Sequence, residues 1–443
     1  MWKSRQKLTL KHFILFFKKQ PPGRLIVLGF AVVILLGTVL LLLPVSIKDG
    51  VQVTFIDALF TSTSAVCVTG LIAIDVADHF TVFGQAVVAM LIQVGGLGVT
   101  SIGVGLILAA KKRVGLKGRV LVKEALNVDS FKGMVRLVKS ILMTTLCFEL
   151  VGAILSYIVF VQDYPPLKAL GISVFHSIAA FNNSGFDILG GMRNLIPYQS
   201  DLLLNLTTCG LIIAGGLGFL VILDVVKKRS FKKLCFHSKV VITTTLLLLV
   251  IGTLLLKATE EISWLGAFFQ SVSARTAGFS TYPIGSFTNA GLFTLIILMF
   301  IGASPGSTGG GIKTSTFFVL IQEVRSLFTK KHVGAFHRSI TTEAISKASM
   351  ISLLSVLLVC VGTFCLCILE PQFSFVQLLF EEVSAFGTVG LSTGITPDVS
   401  PAGKLVLIFT MFAGRVGTFT LLSMWVDRPA PSARYTEESI IIG

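Results

Sequence analysis

Apolar runs of bilayer-crossing length, about 20 residues each, lie near 24–46, 80–110, 134–161, 202–226, 238–257, 289–328, 346–369 and 402–426, with the charged residues gathered between them. This pattern predicts an all-α membrane protein with eight transmembrane helices. The first run follows a basic arm at 1–23 and has no small-residue cleavage site behind it, so it is expected to be a retained span rather than a signal peptide.

Within each successive pair of runs lies a shorter Phe- and Ser-rich stretch: ALFTSTSAVCVTGL ending at Leu71, SVFHSIAAFNNSGF ending at Phe186, AFFQSVSARTAGFS around Gly278, and LLFEEVSAFGTVGL ending at Leu391. Ten residues before Gly70, Gly185, Gly278 and Gly390 stand Phe60, Phe175, Phe268 and Phe380. Any one such stretch alone suits an outer loop or an interfacial helix equally well. Four copies in register predict something else, a re-entrant half-helix followed by an extended return, which survives at membrane depth only when buried in protein or lining an aqueous cavity. The chain then divides into an N-terminal basic arm (1–23), four M1–pore loop–M2 repeats (24–120, 121–233, 234–335 and 336–426) in pseudo-fourfold arrangement around one pore, and a C-terminal tail (427–443).

The extended stretches carry no acidic residue. A desolvated alkali cation needs oxygen ligands from several directions, and backbone carbonyls provide them without a fixed charge that would trap the ion. Glycine fits because it adopts backbone angles that aim a carbonyl into a narrow axis at little steric cost. The fourth copy, Thr388-Val389-Gly390, reproduces the threonine-valine-glycine start of a potassium-channel filter.

On these residues the chain resembles the Trk/Ktr/HKT superfamily of cation transporters over nearly its whole length, and most closely the membrane subunit of bacterial Ktr-type potassium uptake systems. The resemblance implies a filter for K+ built from Val68, Thr69, Gly70 and Leu71; Asn183, Ser184, Gly185 and Phe186; Thr276, Ala277, Gly278 and Phe279; and Thr388, Val389, Gly390 and Leu391. Members with serine at the first-loop glycine tend to favour sodium, so Gly70 implies potassium. A sodium-permeable or sodium-coupled transporter of the same superfamily is the alternative. The resemblance further implies a homodimer in the bacterial cytoplasmic membrane, resting on a cytoplasmic ring of nucleotide-binding regulatory subunits, with no cofactor beyond the transported ion.

The sixth apolar run is about twice the length that a span requires, and its middle reads Gly302-Ala303-Ser304-Pro305-Gly306-Ser307-Thr308-Gly309-Gly310-Gly311. Such a sequence does not stay helical, which places a break roughly 20 Å below the outer end and an intramembrane loop at 304–312. Arg415 lies at comparable depth, where a charge is costly and by default functional or paired. The resembled family has a loop and an arginine there that narrow the pore, which assigns Gly306, Gly309, Gly310, Gly311, Lys313 and Arg415 to a gate. The plain alternatives are that the glycines only permit close helix contact, like Gly95-Gly96 and Gly215-Gly216, and that Arg415 snorkels to an interface. Although Gly306–Thr314 resembles a phosphate-binding loop, Ile312 intervenes before Lys313 and no strand precedes it.

Composition supports this picture: 53% of the 443 residues are hydrophobic and 13% charged, against ordinary soluble values of about 25% charged. The formal charge of +15 does not point to nucleic acid, because Lys and Arg cluster in alternate loops (111–119, 227–233 and 325–338) and in the N-terminal arm. The positive-inside rule puts these segments and both termini in the cytoplasm. Seven cysteines show no metal or redox spacing. Nucleophiles, bases and metal ligands do not cluster, so an enzyme is not expected. Among the remaining charges, Arg275 precedes the third filter strand, and pairing with Glu381 or Glu382 of the fourth pore helix would brace the filter; the alternative is that these groups face outer water. Glu149 is a further charge in the membrane. Asp75, Asp78 and Asp187 follow filter strands, where they either concentrate cations or are solvated loop acids. His176 has no partner at ligand spacing, and the sequons at Asn182 and Asn205 fall in predicted membrane segments.

Overall fold

In a computed structural model the chain is described at residues 22–109, 120, 134–330 and 332–423. Most of the predicted arm 1–23, most of the loop 111–133 and the tail 427–443 lie outside the described residues. Four times the chain runs through a long helix, a short helix and a pair of helices separated by a break. The first group is α1 (Pro22–Leu41), α2 (Phe55–Cys67), α3 (Val82–Leu97) and α4 (Val99–Ala109); the second is α5 (Met134–Phe160), α6 (Pro166–Phe181), α7 (Leu202–Leu217) and α8 (Phe219–Lys228). The third is α9 (Phe236–Thr259), α10 (Trp264–Ser273), α11 (Asn289–Phe300) and α12 (Thr314–Thr329), and the last is α13 (Thr342–Leu369), α14 (Phe375–Gly387), α15 (Pro401–Val416) and α16 (Thr418–Ser423). A two-stranded hairpin, β1 (Gly334–Ala335) and β2 (Arg338–Ser339), connects α12 to α13.

Apolar length makes α1, α5, α9 and α13 the helices long enough to cross a membrane unbroken, and their outward faces expose Leu35, Leu150, Leu254 and Leu353. Side chains of this kind are stable outside only where the solvent is hydrocarbon. Three of the four short helices begin on side-chain caps: Thr54 accepts from Asp57 N–H, Ser263 from Gly266 N–H, and Ser374 forms a capping box with Gln377, while α6 begins on Pro165 and Pro166. Each cap satisfies an orphan backbone donor that hydrocarbon would leave unpaired.

The apolar runs at 80–110, 202–226 and 402–426 were expected to be continuous spans, and here the structure differs. Gly98, Gly218 and Gly417 interrupt them at φ 81°, 90° and 92° with ψ 133°, 139° and 131°, a conformation no L-residue holds cheaply. At the second of these breaks the axis turns by 100°. Just upstream, Gly95, Gly215 and Gly414 lie so close to the carbonyls of Val66, Phe181 and Phe386 that an added Cβ would come within 2.0, 1.9 and 2.0 Å. These glycines therefore combine close packing against the preceding short helix with a helix break, and both consequences come from one small motif.

Packing runs around a circle. Helix α3 packs on α6, α7 on α10, α11 on α14, and α15 returns to α2. The returning contact carries an ion pair, Lys404 Nζ to Asp57 Oδ1 at 2.9 Å, with both side chains largely buried. Removing one partner of a buried pair leaves an uncompensated charge. We expect Lys404→Met or Asp57→Asn alone to cost on the order of 2 kcal/mol, less than a fully buried pair, and the double variant to cost less than the two single effects summed. Thermal melting in detergent measures this; additive losses would show that the pair does not close the circle.

Candidate functional site

Within three residues of the ends of the short helices α2, α6, α10 and α14 stands a residue of positive φ: Val68 at 58°, Asn183 at 58°, Thr276 at 136° and Thr388 at 48°. Only Asn tolerates that region readily, so the other three store strain that surrounding contacts must hold. Two residues later come Gly70, Gly185, Gly278 and Gly390 at φ 89°, 68°, 74° and 93°. The chain between is tied back to its own helix. Thr69 N–H donates to Ser64 O at 2.8 Å, Ser184 N–H to Ala179 O at 2.9 Å, Ala277 N–H to Ser273 O at 2.8 Å and Val389 N–H to Ser384 O at 2.9 Å. Ser64 and Ser384 also accept from Gly70 and Gly390 N–H through Oγ, each at 3.0 Å. These six donors are thus spent on the protein.

The four glycines meet in a closed ring. A Cβ on Gly70 would stand 2.1 Å from Ser184 O; on Gly185, 2.7 Å from Ala277 O; on Gly278, 2.3 Å from Val389 O; and on Gly390, 2.1 Å from Thr69 O. Each strand abuts the next and the fourth abuts the first.

Directly against two of these strands lies the segment between α11 and α12. Gly310 N–H donates to Thr388 Oγ1 at 2.9 Å, and a Cβ on Gly309 would stand 2.8 Å from Thr276. The segment is stitched to the break after α7 by Ser304 N–H to Gly216 O at 3.1 Å and Phe219 N–H to Gly306 O at 3.1 Å. Arg415, partly buried at the end of α15, donates to Thr308 O, Gly95 O and Gly96 O. Lys313 Nζ donates to Gly309 O at 2.7 Å. One guanidinium therefore joins the breaks of the first and fourth groups to the loop of the third.

The profile of the family described as TrkH, cation transport protein, matches residues 24–263 and 240–437. The chain belongs to the TrkH cation transport family. It is a cation transporter and not an enzyme. It is 39% identical over 436 residues to Ktr system potassium uptake protein B of Bacillus subtilis, covering 95% of this chain and 97% of that one. It is 38% identical over 444 residues to the potassium/sodium uptake protein NtpJ of Enterococcus hirae, covering 96% and 98%. Its fold matches the crystal structure of the potassium transporter TrkH from Vibrio parahaemolyticus with a TM-score of 0.73 at 20% identity, over 91% of this chain and 84% of that one.

Other charges of this TrkH family member are placed as follows. Glu381, buried behind the fourth strand, accepts from Ser392 Oγ at 2.6 Å, Thr393 N–H at 3.0 Å and Thr396 Oγ1 at 2.8 Å, so it ties down the chain that leaves the strand. Glu382 accepts from Thr410 at 2.8 Å. Neither carboxylate pairs with Arg275, which corrects the expected brace; among the described residues Arg275 Nε is buried without a partner. Glu149 shares Asn182 with Gln93. His176 meets Thr208 Oγ1 at 2.9 Å and packs edge-on to Phe279, so it supports a strand.

Outside the membrane-spanning segments, Asp75 and Asp78 accept from Met192 N–H at 2.7 Å and Gly191 N–H at 2.8 Å, fastening the loop after the second strand onto the loop after the first. Burial pushes the Asp187 carboxyl up to about 7, with Asp75 adding to the rise and the Leu189 N–H opposing it. Sequence reasoning passed over Asn194, whose Nδ2 donates to Gly185 O at 3.3 Å while its Oδ1 accepts from Ser280 N–H at 3.1 Å, linking the second and third strands. No spacing rule flags a single outer asparagine.

Proposed function

We propose that this TrkH family member is a potassium uptake protein of the bacterial cytoplasmic membrane, in which the four glycine strands form one selectivity filter. The observation that carries this reading is the closed ring, each glycine against the carbonyl of the next strand. With their N–H groups tied to the short helices, the strand carbonyls are the groups left to replace a cation's water. The long helices act as M1, the short ones as pore helices and the broken pairs as M2, in four repeats of one chain. Two potassium uptake relatives near 40% identity over almost their full length support the same ion. A homodimer carried on a cytoplasmic nucleotide-binding ring, with both termini cytoplasmic, completes the proposal by resemblance to Ktr systems.

The Enterococcus relative is named for sodium as well as potassium, so sodium permeation is the second reading. Gly70→Ser separates the two. Its Cβ would drive into Ser184 O, so the strands must spread and potassium preference should fall severalfold in proteoliposome flux measured with each ion. A ratio that stays at the wild-type value contradicts the filter.

Below the filter, the segment 304–312 held by Arg415 and Lys313 acts as the gate. Its glycines let the loop fit under Thr276 and Thr388, and a guanidinium near the axis raises the barrier to a cation. We expect Arg415→Ala, or deletion within 306–311, to raise flux severalfold and loosen its dependence on a regulatory partner. Wild-type rate and regulation in both variants, at normal membrane abundance, would make this region a packing feature.

A further inference from the structure

Arg275 stands out because every other buried charge of the site has a partner. It is 7% exposed, its Nε meets no acceptor, and among the described residues no hydrogen bond or ion pair reaches its guanidinium. The side chain borders a small cavity of about 10 Å³ whose lining includes Asn183, Thr276, Ile212, Ile213 and Leu249. Asn183 and Thr276 open the second and third strands, so the charge lies behind those strands. A space of that size holds a single water, which hydrates a guanidinium without neutralising it.

The position is peculiar to one repeat. Three residues before the ring glycine stand Cys67, Asn182 and Gly387 in the other copies, all neutral. Helix α10 ends at Ser273, so Arg275 sits at the negative end of that helix, where a cation is favoured. In the other three copies that partial charge is left for a permeating ion. In the third it is spent on a resident arginine.

We propose that Arg275 is a fixed positive charge that lowers potassium affinity at the inner end of the filter and so speeds release toward the cytoplasm. This rests on the filter reading above. A filter conducts only if it binds weakly enough to let ions leave, and a full charge several ångströms away, at an effective dielectric of about 20, alters binding by about tenfold or more.

The test is potassium uptake by the full-length protein in proteoliposomes, measured against external potassium concentration. Arg275→Gln should lower the half-saturating concentration about tenfold and reduce the maximal rate, while Arg275→Lys stays near wild type. Ile213→Glu keeps the arginine but sets a carboxylate in the same cavity, and should shift half-saturation in the same direction as Arg275→Gln. It also decides the question if Arg275→Gln does not reach the membrane. Unchanged half-saturation in Arg275→Gln or in Ile213→Glu, or an equal effect of Arg275→Lys and Arg275→Gln, overturns the proposal. Gly278→Ser in the same assay keeps the two readings apart. If it shifts the potassium-to-sodium ratio while Arg275→Gln leaves half-saturation alone, only the role of Arg275 fails. If the ratio does not move, the filter itself is refuted.

Discussion

Backbone polar groups removed from bulk water need a partner, from the protein or from a bound cation, and in this protein that constraint organises everything around the ring of Gly70, Gly185, Gly278 and Gly390. Hydrocarbon offers no hydrogen bond, so non-helical chain is tolerated here only because four strands enclose one another. The N–H groups are satisfied by Ser64, Ala179, Ser273 and Ser384, and the carbonyls press on the neighbouring glycine. A methyl group at any of the four positions would collide with the next strand, so the ring exists only as a set. Strain at Val68, Thr276 and Thr388 is held in place by the same mutual contact.

The rest of the molecule holds that ring from three sides. On one side, Asn194 and Glu381 fasten the chain as it leaves the strands. Around it, each broken helix packs on the next short helix until Lys404 and Asp57 close the circle. On the opposite side, the loop between α11 and α12 bonds to Thr388 and is gripped by Arg415, whose other bonds reach the helix break at Gly95 and Gly96. A single arginine thereby couples three of the four groups, which gives a small local movement a route to the strands.

Much of this organisation was legible because it recurs. The ten-residue step from Phe60 to Gly70, and its three counterparts, is a pattern that one copy could not have revealed. The glycine run 302–311 and Arg415 were conspicuous since hydrophobic spans rarely hold either. What stayed hidden depended on tertiary neighbours. Gly98, Gly218 and Gly417 read as ordinary glycines in apolar runs until their positive φ and the helix breaks they make are seen. Arg275 looked like a partner for a glutamate because sequence cannot show that Glu381 is already occupied by Ser392, Thr393 and Thr396.

The central claim is that the strand carbonyls make one cation site on a common axis. Crystals grown with rubidium, and measured at its absorption edge, test this most directly. Anomalous density is expected on the axis, ringed by the carbonyl oxygens of Thr69, Ser184, Ala277 and Val389. Rubidium bound elsewhere in the chain, with the ring filled by density that carries no anomalous signal, would contradict it.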